Sequence, residues 1–246
     1  MISPAARTGR FDLRPGQILG GKYVVEAYLG GGLEGEVYRV REARTQVRRA
    51  AKLFYPQQNP RNTAARLYAR KLDRLRDCSI VIQYHHAESL WLDGRCVTCL
   101  ISEYVDGVIL ADFVAAHRGK RLRPYEALHL IYPIVCGLEQ MHARKEYHGD
   151  LHEHNVLVRP RGIFFDVKCV DFYNLGRYSG QRRKDDIVDL VRLLYWTLGG
   201  RRWYARQPAA IKGICRGLRR DLIVERFPRA GKLRAYLESF PWLSVL

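Results

Sequence analysis

The sequence predicts an α+β fold in two lobes, on three observations. The first hundred residues read as short strands punctuated by glycines and an Asp-Gly turn, with one helical stretch among them. The remainder changes to apolar residues at helical spacing. Hydrophobic residues make up 47% and aromatics 11% of the 246 residues, enough for a sizeable core and too rich for general disorder. The expected organisation is a flexible N-terminal extension over 1–16, an N-terminal lobe over 17–104 and a reduced C-terminal lobe over 105–246. No internal repeat or low-complexity tract interrupts it.

The N-terminal lobe is expected to be an antiparallel sheet plus one helix. Gly21 to Leu29 and Gly35 to Val40 alternate weakly around a glycine cluster, the pattern of a hairpin on a glycine-rich loop. Arg49 to Phe54 is a third strand, ended by Pro56. Residues 62–76 hold no Gly or Pro and begin with Asn62, a suitable N-cap, so a helix is expected there. Ile80–Tyr84 and Ser89–Leu92 read as strands, and Asp93-Gly94 turns the chain into another over Cys96–Tyr104. In the C-terminal lobe, Tyr125–Arg144 has apolar residues at 128, 131, 134, 135, 138 and 141, a helix that Pro133 should kink or deprive of one backbone bond. Val156–Val158 with Cys169–Val170 is the clearest strand pair that follows. Helices are expected over Asp186–Leu198, Ile211–Leu218 and Lys232–Phe240.

Charge is the outlying bulk property. Lys and Arg number 42 against 25 Asp and Glu, a net +17 with a pI near 9.9. Such a field favours an acidic protein, nucleic acid or an anionic surface, and carries no information on fold. Arg66, Arg70 and Arg74 lie at i, i+4, i+8 on the expected helix, with Arg61, Lys71 and Arg76 beside them. They make either a solvated face or a docking surface for an acidic partner. No apolar run is long enough to span a bilayer, and Met1–Pro15 lacks a signal-peptide core, so a cytoplasmic location is expected. Cys96-x-x-Cys99 has no second pair to complete a zinc site, and all six cysteines are expected to be buried thiols.

Three local patterns carry chemistry. Gly30, Gly32, Gly35 and Val37 fit G-x-G-x-x-G-x-V, where glycines let backbone N–H groups approach phosphate oxygens. A strand follows it rather than a helix, which argues against a dinucleotide fold. Lys52, 17 residues after Gly35 within an apolar strand, is a candidate to neutralise nucleotide phosphates. In His148-Gly149-Asp150-Leu151-His152-Glu153-His154-Asn155, an acid and an amide five residues apart can orient an attacking hydroxyl and bind a metal ion. Asp171 ends a strand 13 residues beyond Val158, and the oxygen donors of Asn155 and Asp171 suit Mg²⁺. The three histidines match no standard zinc spacing.

Taken together and in order, these motifs resemble the protein-kinase superfamily over roughly Gln17 to Phe240, and in the first half of the chain specifically the bacterial Hanks-type Ser/Thr kinases. The resemblance implies a two-lobed kinase fold using ATP with Mg²⁺ (or Mn²⁺). It implies that Lys52 contacts the α- and β-phosphates. Ser102-Glu103-Tyr104-Val105-Asp106-Gly107 resembles the hinge: Ser102 would be the gatekeeper, the backbone of Glu103 and Val105 would hold adenine, and Asp106 the ribose. Asp150 would be the catalytic acid/base, with Asn155 and Asp171 the metal ligands. His152 stands where a lysine near the transferred phosphate is usual. Asp186 would tie the catalytic loop to the large lobe.

Four departures accompany the resemblance. The helix acid that pairs with the lysine is missing: its position falls near Tyr68, and no acid occurs from Pro56 through Leu72. The metal triplet reads Asp171-Phe172-Tyr173, without its glycine. Gly149 replaces an arginine, giving an H-G-D-L-H loop similar to that of aminoglycoside phosphotransferases. Only 14 residues separate Asp171 from Asp186, with no A-P-E between them, as in the truncated RIO-type and Bud-type kinases. The expected activity is transfer of the γ-phosphate to a Ser/Thr hydroxyl of a protein. The alternatives are a pseudokinase acting as a nucleotide-binding or scaffolding module, and a small-molecule kinase for sugars or aminoglycosides. The expected partners are ATP and a protein with an acidic surface, with nucleic acid suggested by charge alone.

Overall fold

The computed structural model describes residues 10–172 and 176–239. The chain divides into two compact units, one of Met1–Asp73 with Gln83–Tyr104 and one of Arg74–Ile82 with Val105–Leu246.

In the first unit, the described residues form an antiparallel six-stranded sheet from β1 (Ile18–Leu19), β2 (Tyr23–Gly31), β3 (Gly35–Glu42), β4 (Arg48–Phe54), β5 (Tyr84–Leu92) and β6 (Arg95–Glu103). The strand order is β1-β2-β3-β4-β6-β5. Alternation builds its core: Val25, Tyr38, Val40, Ala51, Leu53, Val97, Cys99 and Ile101 point to one buried cluster. The β5–β6 turn places both Asp93 (φ 49°) and Gly94 (φ 72°) in the left-handed region, as a tight two-residue hairpin requires. Helix α1 (Thr63–Arg74) buries Ala65, Tyr68 and Leu72.

In the second unit, β7 (Val108–Ile109) leads into α2 (Leu110–Ala115) and α3 (Pro124–Ala143). The strands β8 (Val156–Arg161) and β9 (Phe164–Cys169) complete a three-stranded antiparallel sheet with β7. The helices α4 (Gly180–Thr197), α5 (Arg201–Tyr204), α6 (Ala209–Cys215), α7 (Arg220–Arg226) and α8 (Ala230–Glu238) follow. α3 is the spine of this unit: Leu128, Ile131, Ile134, Val135, Leu138 and Met141 are all buried, and α4 and α8 pack on it. It runs through Pro133 without ending.

Several expectations are corrected. Of the extension expected to be loose over 1–16, residues 1–9 lie outside the described residues, but Phe11 and Leu13 pack on the sheet while their neighbours over 10–16 are exposed. Leu13 is buried in the core, and Phe11 stacks on Tyr55 with ring centroids 5.2 Å apart. Of the strand expected over Ile80–Tyr84, only Tyr84 is strand, as the first residue of β5. Ile80 fills the notch at Gly137, where an added Cβ would come within 2.3 Å of it, and Val81 makes only an isolated parallel bridge to Cys169. These contacts put Arg74–Ile82 in the second unit, although it was expected within the N-terminal lobe. Asn62 does not cap α1: its Oδ1 accepts from the Thr98 hydroxyl at 2.6 Å. Asn59 does the capping, its Oδ1 accepting from the Ala65 N–H at 3.2 Å. All six cysteines are free, but Cys96 is exposed beside the hairpin turn and Cys136 half-buried. Phe240, the expected end of the last helix, lies outside the described residues.

Candidate active site

The first unit holds the glycine hairpin and Lys52. β2 and β3 pair Gly30 with Val37 and Gly31 with Glu36, and the Gly32 N–H donates to the Gly35 carbonyl at 2.9 Å. Gly30 and Gly32 face open space. Gly35 is different, because a Cβ there would sit 1.9 Å from the Leu53 carbonyl oxygen, so no side chain fits. The β3–β4 register sets Val37 opposite Lys52, and strand alternation keeps Lys52 off the core face that Ala51 and Leu53 occupy.

The environment of Lys52 was not foreseen. Its Nζ lies 3.1 Å from Glu34 Oε2, and both side chains are largely buried. The Tyr68 ring centroid is 4.5 Å from the same ammonium. The helix position that lacks an acid therefore presents an aromatic face, a cation–π contact favoured further by burial. The acid comes from the glycine hairpin. The signal was present: an antiparallel register closing at Gly35–Phe54 must bring residue 34 near the end of β4.

The first unit also holds the start of the hinge-like segment. Ser102 is buried, and the Glu103 carboxylate accepts from the Gln83 N–H at 3.1 Å. Val105 and the exposed Asp106 belong to the second unit.

In the second unit, Asp186 anchors the loop that begins at His148. It is fully buried and accepts three hydrogen bonds: the His148 N–H at 2.9 Å, the Gly149 N–H at 2.8 Å and His142 Nε2 at 2.8 Å. Gly149 has φ 85°, a backbone that favours glycine over the arginine of the related motif. His148 is buried and packs on Phe172, ring centroids 4.8 Å apart, and its Nδ1 accepts from the Asp150 N–H at 3.3 Å.

The loop presents Asp150 with its side chain 48% exposed. Asn155 Nδ2 donates to the Asp150 carbonyl at 2.9 Å and reaches the Asp150 carboxylate at 3.3 Å. That fixes the amide and directs its Oδ1 elsewhere. His152 Nε2 lies 3.0 Å from Asn155 Nδ2 and 3.6 Å from Asp150 Oδ2, too far from the carboxylate for a hydrogen bond.

β8 and β9 bring in Asp171. Val156 pairs with Cys169, and the Val170 N–H donates to the Asn155 carbonyl at 2.9 Å, so Asn155 and Asp171 stand at the same end of one hairpin. Asp171 has φ 58°, and Phe172 beyond it is fully buried. Tyr173, the third residue of the triplet, lies outside the described residues. Two oxygen donors, one amide and one carboxylate, fit Mg²⁺, which takes few protein ligands. α4 starts at Gly180 with Ser179 capping it, so the segment after Asp171 is confined to 172–179.

The arginine stripe on α1 is only partly a free surface. Arg66 and Arg70 are exposed, but Arg74 pairs with Glu146 at 2.5 Å, and Lys71 is buried rather than displayed. Among the described residues, no helix is long and apolar enough to cross a membrane.

The glycine hairpin with its strand lysine, the acid–amide loop and the following aspartate occur along the chain in the order of the protein-kinase motifs. The protein kinase domain model matches residues 23–205, and the chain belongs to that family. It is 30% identical over 157 residues to a probable serine/threonine-protein kinase of Streptomyces coelicolor, covering 63% of this chain and 22% of that protein. It is 26% identical over 160 residues to the serine/threonine-protein kinase PrkC of Bacillus subtilis, covering 64% and 23%. The chain thus spans under a quarter of the length of these two relatives. A double mutant of the PknI kinase domain of Mycobacterium tuberculosis superposes with a TM-score of 0.67 at 19% identity, covering 92% of this chain and 97% of that one. The fold is that of the family, an antiparallel-sheet N-lobe and a helical C-lobe.

Proposed function

We propose that this chain is an Mg-ATP-dependent protein kinase domain that transfers the γ-phosphate to a Ser/Thr hydroxyl of a protein. The observation that carries the reading is the Asp150–Asn155 arrangement. One amide nitrogen bonds the loop closed, while the Asp150 carboxylate stays exposed. Asp150 orients the substrate hydroxyl and takes its proton. For ATP, the first unit supplies the backbone of Gly30, Gly32 and Gly35, with Val37 and Lys52, and the backbone of Glu103. The second unit supplies Val105 and Asp106. Asn155 and Asp171 would hold Mg²⁺, which when bound neutralises phosphate charge. His152 adds a donor on the same loop. Positioning and charge neutralisation supply most of the acceleration. The exposed Arg66 and Arg70, with the net charge of +17, favour an acidic protein partner; nucleic acid has only the charge behind it.

The test is label transfer from γ-labelled ATP with Mg²⁺ or Mn²⁺, for wild type beside Asp150→Ala and Asp171→Ala, with phosphoamino-acid analysis. Phosphoserine or phosphothreonine that falls at least about 100-fold in both variants supports the reading. ATP binding with no transfer under either metal replaces it with a pseudokinase. ATP loss that requires an added sugar or aminoglycoside replaces it with a small-molecule kinase.

A further inference from the structure

We propose that Glu34, from the glycine hairpin, is the positioning residue for Lys52, doing from that hairpin what an acid on α1 would otherwise do. This rests on the kinase reading above and names a part of its site that sequence comparison does not supply.

Three observations converge on it. The first is contact: Glu34 Oε2 and Lys52 Nζ are 3.1 Å apart, with side chains only 16% and 11% exposed. A lysine is a point charge on a flexible four-carbon stem, so its head is located by what it bonds. A carboxylate in a partly desolvated setting locates it more firmly than one in water.

The second is the anchoring of Glu34 itself. It lies between the tip of the hairpin and the start of β3, and its own carbonyl accepts from the Tyr55 N–H at 2.8 Å. Its neighbour Gly35 is pressed onto the Leu53 carbonyl so closely that no Cβ fits. Glu34 is therefore fixed to β4, the strand that carries Lys52, rather than riding on the exposed tip at Leu33. A positioning group is useful only when it is itself held, and this one is.

The third is Tyr68. Its ring takes the α1 position where an acid is absent, is buried, and stands 4.5 Å from the ammonium. An aromatic face attracts the charge but does not set its direction as a carboxylate does. The two neighbours thus have separate roles. Tyr68 shields the ammonium, and Glu34 aims it.

The arrangement has a consequence that a generic structural role lacks. If Glu34 acts through Lys52, the acid can be moved from the hairpin to the helix. Glu34→Gln is expected to lower kcat/KM for ATP at least about tenfold with its melting temperature near that of wild type. Glu34→Gln combined with Tyr68→Glu is expected to regain most of the loss, and Glu34→Asp to lose less than Glu34→Gln.

A readout without nucleotide separates this proposal from the kinase reading. The acylation rate of Lys52 by acetic anhydride, followed by mass spectrometry, is expected to rise severalfold in Glu34→Gln and return toward wild type in the double variant. An unchanged Lys52 acylation rate in Glu34→Gln overturns the proposal, whether or not the chain transfers phosphate. So does a Glu34→Gln variant that binds ATP more tightly or turns over faster, because Glu34 would then be an obstacle to the phosphates. Wild-type inactivity with the expected acylation pattern overturns the kinase reading and leaves the positioning role standing.

Discussion

Glu36, two residues beyond Glu34, shows how much one buried carboxylate can organise. It is 2% exposed and accepts from the hydroxyls of Tyr38 and Tyr55 and from the Phe11 N–H at 3.3 Å. The Tyr38 oxygen in turn accepts from the Leu13 N–H at 3.2 Å, so residues 11–13 are stitched to β3. Both tyrosine hydroxyls are held above their ordinary value of 10.0, by burial first and by the bond to Glu36 second. A group whose folded pKa is raised contributes its full stability below the unfolded pKa, and loses it as pH climbs through the raised value. Wild-type melting temperature should therefore fall above about pH 10, where unfolded tyrosines ionise. The double variant Tyr38→Phe, Tyr55→Phe should melt lower at pH 8 but show a flatter decline beyond pH 10. Parallel declines in circular-dichroism melts would refute the assignment. At this scale the sequence revealed residues brought together by nearness in the chain, such as Asp150 and Asn155. It hid Glu34 and Asn59, whose roles depend on strand register and on the turn preceding α1.

The loop from His148 to Asn155 is an element without regular structure, and α4 holds it in place. Asp186 satisfies two successive backbone N–H groups, His148 and Gly149, together with His142 from the last turn of α3. Three donors converge on one buried carboxylate, so replacing an oxygen by an amide sets donor against donor. Asp186→Asn is expected to cost about 3 kcal/mol, read by urea denaturation. It should also speed hydrogen exchange at His148 and Gly149 more than in the core of α3. A loss below about 1 kcal/mol would show that the loop holds itself. Long periodic elements such as α3 and the hairpin strands were legible because burial imposes a repeat on them. The short helices α2, α5 and α7 carry too few turns to print a period, and Ile80–Ile82 looked like a strand because any buried apolar run does.

For the molecule as a whole, charge sets the expectation. The net +17 is spread over both units, and self-repulsion of like charges opposes the compact state. Raising salt from about 0.01 M to about 1 M shortens the screening length from ~30 Å to ~3 Å, so the melting temperature should rise across that range. A melting temperature that falls instead would mean that ion pairs such as Arg74–Glu146 outweigh the repulsion. The two-part architecture itself was readable, because the change from strand to helix periodicity survives any error at element boundaries. The passage of residues 74–82 into the second unit was not readable, because it depends on a glycine more than fifty residues further on.

That passage bears on how the chain can be made. Ile80 rests on Gly137, and Val81 and the Ile80 carbonyl meet Cys169, the latter through the Cys169 N–H at 2.6 Å. During synthesis from the N-terminus, this apolar segment leaves the ribosome long before the residues that cover it. β1–β4 and β6–β5 can pair around it while it waits, as a loop closed at both ends by finished sheet. The interval between translating residue 82 and residue 169 is thus a window of exposure, and slowing elongation within it should increase aggregation more than slowing it after residue 200.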